Sequence, residues 1–284
     1  MAGERAESVV VKTARYGWVR DLPDHRDRQW LAPPLASAQL PTSVDLRRQC
    51  PGVYDQGQLG SCTANAIAGA LEYDEIRTGT SPSWTPSRLF IYYNERDVEG
   101  TVSSDSGAQL RDGIKVIAAD GVCPESDWPY DVTKFAERPP QQAYTDALHE
   151  SVGSYQRVTQ SLVQLKTCLA SEFPFVFGFT VFSSFEATDV ATTGIIPLPQ
   201  PSESPVGGHA VVCVGYDDAR QAFTIRNSWG AGWGDAGYGY MPYAYMLDGG
   251  LAADFWTIQA APGGPPLKVR HTGSASQRAE DDSA

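Results

Sequence analysis

The 284 residues, 42% of them hydrophobic and 11% aromatic, are enough for one large domain or two modest lobes with a real core, and they exclude a chain too polar to fold. With 22 basic against 34 acidic residues the formal net charge is −12, which argues against nucleic acid or an anionic membrane surface as the main partner. No stretch approaches the roughly 18–20 apolar residues of a membrane span, and the opening "MAGERAESVVVKTARYGWVRD" does not read as a secretory signal, so the default expectation is a cytoplasmic protein.

Residues 1–44 form an arm punctuated by Pro and Asp ("DLPDHRDRQWLAPPLASAQLPTS") with little periodicity. Residues 45–260 carry the patterned apolar sequence, and their first part, 45–150, reads helical. The Ala-rich run "CTANAIAGALEYDEI" predicts a helix from Cys62 with its stop at Gly79. In "TPSRLFIYYNERD" the expected N-cap is Thr85, with Pro86 at the first helical position. "DSGAQLRDGIKVIAADG" places Leu110, Ile114 and Ile117 at helical spacing before Gly121.

The period changes over 151–260. After one amphipathic helix near "SLVQLKTCLAS" come "PFVFGFTVF", "HAVVCVGYD", "AFTIRNSW", "GYGYMPY" and "ADFWTI". These short β-branched and aromatic runs between Gly, Asp and Pro turns predict a small antiparallel barrel or sandwich. Residues 261–284, rich in Gly, Pro, Ser and charge, read as a disordered tail. The fold class is α+β: a helical lobe, then a β lobe, with a cleft between them suited to chemistry.

Five cysteines (Cys50, Cys62, Cys123, Cys168, Cys213) without paired spacing make neither a disulfide framework nor a CxxC metal site, and no metal is expected. Cys62 stands apart. Gly57 and Gly60 turn the chain in "QGQLGSCTA", and Ser61 as N-cap puts Cys62 on the first helical turn. The orphan N–H groups and dipole there favour a thiolate, the form in which cysteine attacks.

A base must come from four histidines. His271 lies in the tail, His25 in the arm and His149 in the polar "DALHES". His209, after two glycines at the mouth of the apolar strand in "GGHAVVCVGY", has room to reach a cleft, although a lone histidine at a strand start is more often structural. Asn227 in "RNSWGAGWGDAGYGY" offers an amide oxygen able to hold an imidazole in one tautomer. An Asn at a strand end is more often a turn residue.

Taken in order, "QGxxGSC", "GGHAVxxVGY" and "RNSWGxGWGxxGY" resemble the papain-like cysteine peptidases over residues 41–258. That family places its His and Asn about 130–150 residues after the cysteine. His209 follows Cys62 by 147 residues (209 − 62) and Asn227 by a slightly long 165 (227 − 62). The resemblance implies a two-lobe fold and a cysteine endopeptidase acting on protein or peptide substrates through a thioester, with no cofactor. Cys62 would be the nucleophile, His209 the base and Asn227 its orienter. Gln56 would donate its amide to the oxyanion hole, with Gln58 a bystander. Trp229 would shield the His–Asn hydrogen bond. Gly107 would pair with an extended substrate, and Gly178 and Gly208 would border its pocket.

The family's cysteine three residues before the nucleophile is here Leu59, so that disulfide is absent. The aromatic after the nucleophile is Thr63, and no long helical pro-segment is seen. These traits resemble bacterial members made without a signal peptide or large pro-region. A Cys50–Cys123 bridge stays open. So do an acyl-transferring relative (an amidase, peptide ligase or transglutaminase-like enzyme) and a catalytically retired binding protein. The arm, with Tyr16, Trp18 and Trp30 among its charges, either folds back over the cleft as a built-in inhibitor or packs on the outside of a lobe.

Overall fold

The computed structural model describes residues 16–32, 40–79 and 84–262. The tail beyond Pro262, with His271, lies outside the described residues.

The central helix α1 (Cys62–Thr78) is buried from Cys62 to Glu75, which its small alanine side chains permit. It packs on α2 (Arg88–Glu99) and α3 (Leu110–Asp120) on one side and on sheet strands on the other. A Cβ at Gly69 would sit 2.6 Å from an Arg226 Nη, so a glycine lets helix and sheet approach. The helix stops at Gly79, where φ of 68° gives a left-handed cap and the Gly79 N–H bonds the carbonyls of Glu75 and Ile76.

Helix α2 differs from expectation at its start. Its cap is Ser87, whose Oγ accepts the Phe90 N–H at 3.1 Å, rather than Thr85. Thr85 and Pro86 are held extended instead: the Thr85 carbonyl accepts the Glu125 N–H and Pro86 bridges Pro124. The first orphan donors therefore lie beyond Ser87. Helix α3 ends at Gly121 as its sequence implies, and α4 (Gln141–Ala147) completes the helical half.

The second half builds a sheet of seven strands among the described residues, all antiparallel: β2 (Ser43–Asp45), β4 (Glu150–Arg157), β5 (Phe175–Phe182), β6 (Pro205–Asp217), β7 (Ala222–Arg226), β8 (Tyr238–Pro242) and β9 (Ala252–Pro262). The order is β4-β9-β5-β6-β7-β8, with β2 on β6. Helices α5 (Leu162–Ala170), α6 (Thr188–Thr193) and α7 (Tyr243–Leu247) lie in its connections. The β5–β6 register sets Phe179 opposite His209 and Gly178 opposite Ala210.

A second, two-stranded sheet pairs β1 (Trp18–Val19) with β3 (Ala108–Gln109) in parallel. Just beyond it the arm is bolted to the body. The Asp21 N–H bonds Asp254 at 2.8 Å, while the Asp21 carboxylate accepts the Arg111 N–H and the Trp256 indole N–H. Asp27 pairs with Arg111 at 2.8 Å and Arg157 at 3.2 Å, and Arg157 also holds Asp254 at 2.7 Å. Two guanidinium groups thus serve three buried or half-buried carboxylates, the arrangement that lets such charges leave water. Trp30 is buried, and its N–H bonds the Arg157 carbonyl.

Candidate active site

The approach to Cys62 is fixed on both sides. Asp55 accepts the Gly57 N–H, and Asp105, itself hydrogen-bonded to the Tyr92 hydroxyl, accepts the Gly60 N–H at 3.0 Å. Cys62 opens α1 and is fully buried. Ser61 occupies the N-cap position without a capping hydrogen bond, since its hydroxyl meets that of Tyr130. The backbone N–H groups of Ala210, Gly17 and Thr63 are directed at the Cys62 sulfur.

Those donors favour a thiolate, as the helix start was expected to. Burial outweighs them and pushes the thiol up to about 12. The same covering acts on His209, which is fully buried and pulled down to about 4, first by desolvation, with Asn227 opposing. In this arrangement the pair is thiol and neutral imidazole. The cause is what covers it, not what flanks it.

The tautomer of His209 follows from its neighbours. Asn227 Oδ1 accepts the backbone N–H of Ser228 at 2.8 Å, which identifies that atom as the oxygen. The same oxygen lies 2.8 Å from His209 Nε2, so Nε2 carries the proton. Nδ1 is therefore the basic nitrogen. It is buried with no hydrogen-bond partner among the described residues. Trp229, half-buried, lies over the ring at 4.9 Å between centroids.

Gln56 is fully buried and oriented from several directions. Its N–H bonds the Ser228 carbonyl at 2.8 Å, its Oε1 accepts the Ser228 hydroxyl at 2.6 Å, and its Nε2 donates to the Leu59 carbonyl at 2.8 Å. The Leu59 carbonyl, which can only accept, decides which end of the amide is the donor, and the Ser228 hydroxyl holds the other end, a role not read from the sequence although Ser228 stands inside the "RNSW" motif. Gln58 is exposed.

Residues 16–18 of the arm run across these groups. Tyr16 meets His209 edge-on at 5.9 Å and Trp229 at 6.1 Å. The Gly17 carbonyl accepts the Ala108 N–H at 2.8 Å, and Gly107, at φ 72°, lies so close that a Cβ there would fall 2.0 Å from the same oxygen. The Trp18 indole fills the space a side chain at Gly178 would need, 1.9 Å from its Cβ position, while the Trp18 carbonyl oxygen lies 2.4 Å from where a Cβ on Gly208 would sit. Gly107, Gly178 and Gly208, the three glycines expected to border the substrate, therefore all face the arm.

The other histidines within the described residues, His25 and His149, are exposed and apart from this site. All five cysteines, Cys50 and Cys123 included, are free. Under Cys62, Thr63 donates to the buried Glu95 carboxyl at 2.6 Å, so a polar pair links the start of α1 to α2. Among the described residues no group of three or more His, Cys, Asp or Glu is placed to hold a metal, and no helix is long and apolar enough to cross a membrane.

A family model described as papain family cysteine protease matches residues 40–253. The chain is 42% identical over 268 residues to a peptidase C1-like protein of Acanthamoeba polyphaga mimivirus, covering 86% of each. It is 28% identical over 220 residues to a cathepsin L-like peptidase of Aedes aegypti, covering 72% of this chain and 59% of the other. Among solved structures it is similar to xylellain, a cysteine protease from Xylella fastidiosa, with TM-score 0.81 and 46% identity over 87% of this chain and 97% of that one.

Proposed function

This chain belongs to the papain family of cysteine proteases and is a cysteine-type peptidase, and on that premise we propose that it is an endopeptidase whose Cys62, His209, Asn227 and Gln56 do the chemistry. The observation that carries the assignment is the His209 Nε2–Asn227 Oδ1 contact at 2.8 Å, which leaves Nδ1 basic on the residue whose successor, Ala210, points its N–H at the Cys62 sulfur.

In the proposed reaction Nδ1 takes the Cys62 proton, and the thiolate attacks the peptide carbonyl carbon. The resulting oxyanion accepts from the Gln56 side-chain amide and the Cys62 backbone N–H, and loss of one such donor costs about 10²–10³ in rate. His209 returns its proton to the leaving amine, and a thioester remains on Cys62. Water, deprotonated by the same imidazole, attacks the thioester carbon and releases the acid. Trp229 keeps solvent off the His209–Asn227 bond.

The arm fits an inhibitory role in this scheme. Whatever side chain follows the cleaved bond must lie on the His209 side, because His209 protonates the leaving amine. Tyr16 occupies that side, and Trp18, two residues later, occupies the other. The arm therefore runs through the cleft opposite to a substrate, with the Gly17 N–H on the sulfur.

The assignment is tested by labelling Cys62 with an iodoacetamide-type reagent and by hydrolysis of a fluorogenic peptide, each in the full-length protein, in Cys62→Ala and in His209→Ala. Loss of both signals in both variants is expected. Hydrolysis that survives Cys62→Ala overturns it.

A further inference from the structure

Tyr16 does more than cover His209. Its ring stands where a side chain at Gly207 would be, 2.6 Å from that Cβ position, and against the paired His209 and Trp229 rings. At the end of this slot its hydroxyl donates to Glu186 Oε1 at 2.7 Å. Glu186 closes the one-turn helix Ser183–Glu186 after β5, and Phe185 beside it is buried against His209 and Trp229, which fixes where the carboxylate stands. Every wall of the slot belongs to the body of the protein, so the slot remains when the arm leaves.

We infer that Glu186 is a specificity-determining residue, and that the Gly207–His209–Trp229 slot selects substrates with tyrosine immediately after the cleaved bond. The inference rests on the peptidase reading above, which puts the leaving amine on the His209 side. Three features of the slot support it. The glycine gives an aromatic ring room, and the His209 and Trp229 rings give it edges and faces to pack on. The carboxylate accepts a hydroxyl donor at the depth where a phenol ends. Phenylalanine would fill the same space but leave the part-buried carboxylate without that donor, a loss larger than the missing contact alone. Glutamate would bring like charge to it. Burial, and then Glu186 itself, hold the Tyr16 phenol protonated, as a donor must be.

The test uses the full-length protein with its arm loosened by Tyr16→Ala and Trp18→Ala. Peptides identical except for Tyr, Phe, Leu or Glu after the scissile bond are compared by kcat/KM, with cleavage positions read by mass. Tyr is expected to exceed Phe by roughly tenfold, the scale of one charge-assisted hydrogen bond, with Glu the poorest. Adding Glu186→Leu should bring the Tyr to Phe ratio close to one and raise Phe in absolute terms, a gain that a damaged fold does not give. Equal cleavage of the Tyr and Phe peptides, or a Tyr preference that persists in Glu186→Leu, overturns the inference and leaves the peptidase reading standing. No cleavage of any peptide overturns both.

Discussion

Replacing Trp18 by alanine should release the arm and raise activity. The indole is half-buried against Gly178, and full burial of an aromatic side chain is worth about 1.5–3 kcal/mol. Against that, the Trp18 indole N–H is buried with no hydrogen-bond partner among the described residues, a cost of about 1–3 kcal/mol in general and near the lower end for a side chain this exposed. The net is about 0.5–2 kcal/mol, which corresponds to a change of about 2–30-fold in the ratio of released to seated arm. Both fluorogenic peptide hydrolysis and the rate of Cys62 alkylation at pH 7 should rise by that factor in full-length Trp18→Ala. Trp18→Phe keeps the apolar contact and loses the orphan donor, so it should be no more active than the unaltered protein. Unchanged or lower activity in Trp18→Ala, at unchanged Tm, would refute the inhibitory reading of the arm.

The anchor around Asp21, Asp27 and Trp30 separates two kinds of truncation. Deleting residues 1–20 should activate the enzyme and leave its Tm nearly unchanged. Deleting 1–35 leaves Arg111 and Arg157 without two carboxylates and should lower Tm by several degrees, read by calorimetry. Ser228→Ala removes one of the two side-chain anchors of the Gln56 amide, leaving only the Leu59 carbonyl; kcat should fall about tenfold with KM little changed, and Ser228→Thr should restore it. Glu75, pushed up to about 8 by burial and then by Glu150, Glu72 and Asp74, keeps its proton in the folded protein while the unfolded chain loses it near pH 4.5. The folded state is thus penalised progressively as pH rises from about 4.5 to 8. Glu75→Gln should raise Tm at pH 8 and leave it unchanged at pH 4.

Much of this molecule is legible in its sequence because local rules and burial agree there. Gly79 and Gly121 stop their helices, the period changes where the sheet begins, and the strand carrying His209 reads as an apolar run behind two glycines. The α2 cap was misplaced because residues 124–125, distant in sequence, hold Thr85 and Pro86 extended. The protonation of Cys62 departs from what its local sequence favours for a related reason. The thiolate-favouring helix start at Cys62 is local and visible, whereas the burial that overrides it exists only in the folded chain, where residues as distant as Gly17 and Ala210 reach the sulfur. Ser228 was readable within its motif once Gln56 was known to need an orienting partner. Glu186 was not, because only the fold brings it to the hydroxyl of Tyr16.

The account turns on Cys62 becoming acylated. Full-length Trp18→Ala, mixed with a peptide ester, quenched in acid within the first turnovers and analysed by intact and peptide-level mass, should carry one acyl group, on Cys62. That adduct should disappear in water as the free acid forms, and should not form in Trp18→Ala combined with Cys62→Ala. Peptide turnover with no acyl group on Cys62, or turnover that continues in the doubly substituted protein, would contradict it.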